Sequence, residues 1–62
     1  MWVVYKNKAI NIKNMHSIKV SFSYIYFDDT YIEFSTNEDA IKNFNLVFQY
    51  LSSNRTVLIL ED

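Results

Sequence analysis

The sequence predicts an α+β fold: an antiparallel β-meander of about five strands, one helix (about 36–52) packed on one face, and a short C-terminal strand (about 56–60). Three observations predict it. Ser35–Leu51 carries a helical period and a capping signal. The chain before it alternates apolar and polar residues between short polar turns, and the chain after it holds a four-residue apolar run. Successive strands with a helix laid on one face are the α+β arrangement.

Trp2-Val3-Val4-Tyr5 is a short apolar run closed by the polar turn Lys6-Asn7-Lys8. Ala9-Ile10-Asn11-Ile12 alternates, with Ile10 and Ile12 on one face, and forms the second arm of a hairpin. Lys13-Asn14 is the next turn. From His16 to Phe22, His16, Ile18, Val20 and Phe22 share the core face, while Ser17, Lys19 and Ser21 share the solvent face. Asp28-Asp29 sits at the tip of a tight hairpin that pairs Ile25 with Ile32 and Phe27 with Thr30. Ile25, Phe27, Ile32 and Phe34 then point inward, and Tyr24, Tyr26, Tyr31 and Glu33 outward. Inward parity is even over 18–22 and odd over 25–27, so a turn or a bulge falls near Ser21–Tyr24, and a turn is favoured.

For the helix, Ser35 and Glu38 have capping-box spacing, with Thr36 and Asp39 a version shifted by one residue. Glu38 and Asp39 place carboxylates at the positive end of the helix dipole. Ala40, Ile41, Phe44, Val47, Phe48 and Leu51 recur at helical steps as one apolar stripe, off which Lys42, Asn43, Asn45 and Gln49 lie. Ser52-Ser53-Asn54 ends the segment, with Asn54 the expected left-handed terminator. Val57-Leu58-Ile59-Leu60 reads as a strand covered on both faces, or covered on one and meeting another molecule on the other. Glu61-Asp62 are charged gatekeepers behind it.

Sixty-two residues make a single small domain, 1–62. So short a chain buries only about 60% of the surface its unfolded form exposes, and such domains usually add disulfides, metal or oligomerisation. There is no Cys and one His, so thiolate and His-based metal sites are excluded. Half the residues are hydrophobic, and one Trp, five Tyr and five Phe supply more apolar material than one helix and a small sheet hide. An exposed apolar patch covered by a second copy or a partner is therefore expected. No apolar run approaches the roughly 18 residues of a membrane span, and no signal-peptide order is present, so a cytoplasmic location is expected. The absence of Gly and Pro forces every turn onto Asn, Asp, Ser or Lys.

Catalytic chemistry finds no purchase. His16, alone, is placed on a core-facing strand position, and nucleophilic catalysis needs a His beside a nucleophile and an orienting acid. Asp28, Asp29 and Glu33 sit at an exposed turn, where Asp is favoured for its own backbone hydrogen bonds, which argues against a cation site. Without Gly no phosphate-cradling loop forms. A non-enzymatic chain with no cofactor and no metal is expected.

Charge is uneven: residues 1–27 hold Lys6, Lys8, Lys13 and Lys19 and no acid, while the seven acids lie in 28–62 with Lys42 and Arg55. The leading expectation is a small protein–protein interaction module, homodimeric. Its candidate surface residues are Tyr24, Tyr26 and Tyr31, the off-stripe helix pair Leu46 and Tyr50, and the strand Val57, Leu58, Ile59 and Leu60, the last group for self-association. The alternative is a nucleic-acid-binding module using Trp2, Tyr5, Lys6 and Lys8. Four lysines are few for that role, and Glu33, Asp28 and Asp29 beside the tyrosines repel phosphate, so nucleic acid is disfavoured as a partner.

Three pieces of the chain also resemble a type of small bacterial and phage protein: Ala9-Ile10-Asn11-Ile12-Lys13-Asn14, the acidic turn Asp28-Asp29, and Phe34-Ser35-Thr36-Asn37-Glu38-Asp39-Ala40 opening a helix. The likeness runs from Trp2 to about Leu51. It departs at the missing Gly of the acidic turn and at the added strand Thr56–Leu60. The resemblance implies a β-meander followed by a helix. Because small phage and mobile-element proteins of this look include inhibitors of host defence enzymes, it also implies an inhibitor or regulator of a larger host protein.

Overall fold

The computed structural model describes residues 1–53 and 55–62. The chain is α+β, with element order β1 Trp2–Tyr5, β2 Lys8–Asn11, β3 Ile18–Ser21, β4 Tyr24–Phe27, β5 Thr30–Glu33, α1 Asn37–Leu51 and β6 Val57–Leu60. The strands divide into two three-stranded sheets, β2-β1-β6 and the antiparallel meander β3-β4-β5. β6 runs parallel to β1, with Val3 opposite Leu58 and Tyr5 opposite Leu60.

The meander expected over five strands is thus interrupted between β2 and β3, for a local reason. Asn11 accepts from the Lys13 N–H, Met15 N–H returns to the Ile12 carbonyl, and the Asp28 carboxylate accepts from the N–H groups of His16 and Ser17. Donors that a neighbouring strand would have used are taken by side chains and by a local turn, so the connector crosses from one sheet to the other. His16 consequently lies outside any strand and is exposed, not core-facing as its parity suggested.

All three hairpins use two-residue loops, Lys6-Asn7, Phe22-Ser23 and Asp28-Asp29. Each has positive φ at its first loop residue only, 54° at Lys6, 53° at Phe22 and 54° at Asp28, the pattern of type II′ turns. The parity break therefore is a turn, at Phe22-Ser23. It removes Phe22 from the core face assigned to it: the ring is 78% exposed.

The helix begins one residue later than the Ser35 capping box implies. Thr36 is the N-cap and its Oγ1 accepts from the Asp39 N–H at 3.1 Å, while the Ser35 hydroxyl donates to Asp62 at 3.2 Å. Ser52 is the C-cap, its hydroxyl donating to the Gln49 carbonyl. Asn54, the expected terminator, lies outside the described residues.

One core gathers the inward faces of both sheets: Val3, Tyr5, Ile10, Ile12, Leu58 and Leu60 from one side, Ile25, Phe27, Ile32 and Phe34 from the other. The helix packs against β3, β4 and β6. Its packed face differs from the expected stripe. Ala40, Asn43 and Val47 are buried, Phe44 and Tyr50 half-buried, and Ile41, Phe48 and Leu51 are exposed. At about 100° per residue, Ile41 and Phe48 lie roughly 80–100° around the axis from Ala40, beyond what the sheet covers.

Asn43, which reads as a surface residue, turns the helix to this face. Its amide donates to the carbonyls of Asp39 and Glu61 at 2.8 and 2.6 Å, and its Oδ1 accepts from the Glu61 N–H at 3.3 Å. One side chain therefore serves both backbone groups of residue 61 and ties β6 to the helix.

Candidate functional site

The outward parity of the tyrosines brings three of them together. On the outer face of β3-β4-β5, ring centroids lie 5.9 Å apart for Tyr24–Tyr26, 5.5 Å for Tyr24–Tyr31 and 6.0 Å for Tyr26–Tyr31. Register sets Lys19 opposite Tyr26 and Tyr26 opposite Tyr31, so one row across the sheet reads Lys19-Tyr26-Tyr31. The Lys19 ammonium stands 5.8 Å from the Tyr26 ring centroid. Lys8 arrives from the other sheet, donates to the Tyr31 carbonyl at 2.7 Å and stands 5.2 Å from that ring's centroid. In the next row Tyr24 pairs with Glu33, whose carboxylate pushes the Tyr24 hydroxyl above its ordinary range. The tyrosines are thus flanked by two cations as well as by Glu33, and Lys19 is the member that reading the tyrosines alone missed. Placing both turns and reading across the strands finds it.

A second surface is the outer face of β2-β1-β6. Trp2 lies between Asn11 and Val57, and Val4 between Ala9 and Ile59. Trp2, on the central strand, and Val57 are each 46% exposed and Ile59 is 65% exposed, the latter two on the edge strand β6. The four-residue apolar run resolves into alternation. Leu58 and Leu60, expected at the interface, are buried in the core, because their parity faces the helix side.

A third apolar surface flanks the helix. Phe44, Phe48 and Leu51 form one wall of an open groove of about 340 Å³ whose other wall is the connector from Ile12 to Ile18. Of the off-stripe helix pair, Leu46 is exposed, while Tyr50 is half-buried and its hydroxyl accepts from Arg55 at 3.2 Å.

Of the basic aromatic set Trp2, Tyr5, Lys6 and Lys8, Tyr5 and Lys6 come together, the ammonium 5.2 Å from the ring centroid. The Tyr5 ring is buried against Phe34 with centroids 4.6 Å apart, and its hydroxyl donates to Asp62 at 2.6 Å. Burial, then this bond, pushes the Tyr5 hydroxyl above its ordinary range. Lys6 sits 3.7 Å from the same carboxylate, and Lys8 turns to Tyr31. The Tyr5 hydrogen bond holds the Asp62 carboxyl below the usual carboxylate range, with help from Ser35 and Lys6. Asp28 is likewise lowered by the backbone N–H groups of His16 and Ser17. Among the described residues no three metal-ligating side chains cluster, and no helix is long and apolar enough to cross a membrane. No protein-family model matches the chain, and no curated protein or solved structure is significantly similar to it.

Proposed function

We propose that this chain is a small protein–protein interaction module that self-associates as a homodimer and acts on a larger protein as an inhibitor or regulator. The observation that carries self-association is the outward, exposed patch of Trp2 on β1 with Val57 and Ile59 on the edge strand β6. An apolar face at an open sheet edge is a template for association, and a two-fold contact covers the same patch on both copies. Tyrosine-rich and apolar surfaces elsewhere on so small a domain leave room for a second partner. The inhibitory part of the reading rests on the resemblance to small phage proteins.

Size-exclusion chromatography with light scattering at micromolar concentration tests the dimer. The expected mass is twice the 7.4 kDa of the chain, and a stable species of 7.4 kDa overturns it. Ile59→Lys is expected to give a folded monomer, because the side chain leaves the core untouched.

A further inference from the structure

We propose that the open face of β3-β4-β5 binds single-stranded nucleic acid, with bases stacked on Tyr26 and Tyr31 and phosphates held by Lys19 and Lys8. The placement of charge carries this. The row Lys19-Tyr26-Tyr31 is closed at its far end by Lys8, whose ammonium lies 5.2 Å from the Tyr31 ring centroid. Strands are about 4.8 Å apart, so the two rings span neighbouring strands and a cation stands at each margin. Rings at the centre with ammonium groups at the sides match a strand whose bases turn inward and whose backbone runs past them.

The acids on this face do not close the site. Glu33 occupies the adjoining row beside Tyr24, away from the Lys19 end. Asp28 turns its carboxylate to the His16 and Ser17 N–H groups, and Asp28 and Asp29 lie in the turn between β4 and β5, off the Lys19-Tyr26-Tyr31 row. An aromatic sheet face accepts any base, since every base has a π-face. Two phosphate contacts make the expected binding weak and salt-sensitive, without sequence preference. This site is separate from the Trp2–Ile59 surface and does not depend on self-association.

Fluorescence anisotropy of the full chain with a labelled oligo-dT of about 12 nucleotides tests it. Saturable binding is expected, weaker by about sevenfold at about 200 mM than at 50 mM salt, the dependence for two phosphates on a single strand. An abasic strand of the same length should bind about fivefold or more worse, as should Tyr31→Ala, with Tyr31→Phe restoring affinity. Lys19→Gln should flatten the salt dependence. Four results overturn the proposal: no saturable binding at the lower salt, equal binding of the abasic strand, Tyr31→Ala binding as wild type with native circular dichroism, or Tyr31→Ala changing the mass by light scattering. The last would make the tyrosine face a contact between copies.

Discussion

Asn43 shows how much one side chain fixes at the scale of the residue. It is fully buried and makes three hydrogen bonds, two of them to the backbone of residue 61. Removing it takes the side-chain partner from both the Glu61 N–H and the Glu61 carbonyl in a part-buried place, where each lost partner is costly. Asn43→Ala is therefore expected to destabilise by about 2 kcal/mol in urea unfolding, and a change below about 0.5 kcal/mol would refute the role given to it. Nothing local in the sequence marks this residue. It sits among polar neighbours off the apolar stripe, and its partners are 18 residues away. Asp28 was legible only as a turn residue. Its carboxyl is held below the usual range, so the folded state binds fewer protons than the unfolded chain as acid is added. The contribution is present above the ordinary carboxylate pKa and is lost as pH falls through the folded value. Asp28→Asn should lower the urea midpoint at neutral pH and lose less of it than wild type on going to about pH 3. Equal losses in the two proteins would show that this carboxylate is not part of the acid response.

Turns carry most of what was readable at the scale of the element. The two acidic residues at 28–29 and the parity break near Ser21–Tyr24 placed two hairpins correctly, and with them the shared outward face of the tyrosines. Misreading came where a side chain serves something other than its own element. Phe22 has core parity but is the first residue of a two-residue loop. Ser35 has the capping spacing but bonds Asp62, which leaves Thr36 as the cap. The helical stripe was right in period and wide of the packed face, because apolar residues cover a broader arc than the sheets can bury. The loops also hold strain that a chain without Gly cannot avoid. An L-residue at positive φ costs roughly 1–2 kcal/mol, and glycine costs roughly 0.5–1 kcal/mol more than alanine in unfolded-state entropy. Phe22→Gly, at φ 53° with its ring mostly in solvent, is thus expected to stabilise by about 0.5–1 kcal/mol. A loss of stability in thermal or urea unfolding would mean that the exposed ring packs on something.

The division into two sheets was not legible in the sequence at the scale of the whole molecule, since the parallel pairing of β1 with β6 joins the two ends of the described chain. No turn signal announces a partner more than 50 residues away, and four apolar residues in a row hide the alternation that the register imposes on β6. The class survived this because class depends on element types and order, which local periodicity reports. The split leaves each sheet with its own outer face, one aromatic and cationic, the other apolar at an edge. A domain of this length buries a modest fraction of its surface, so covering the apolar face with a second copy should contribute visibly to stability. If native chains are dimers that unfold to separate monomers, stability is tied to concentration by mass action. A tenfold rise in concentration adds about 1.4 kcal/mol per dimer, and the unfolding entropy of two such chains, at roughly 2 cal/mol/K per residue, converts this to a rise in Tm of about 5 °C. Calorimetry from about 2 to 200 µM should therefore show a climb of about 10 °C for the wild type and a flat Tm for Ile59→Lys. A wild-type Tm that does not move over that range would remove the second copy from the account of how this fold is held together.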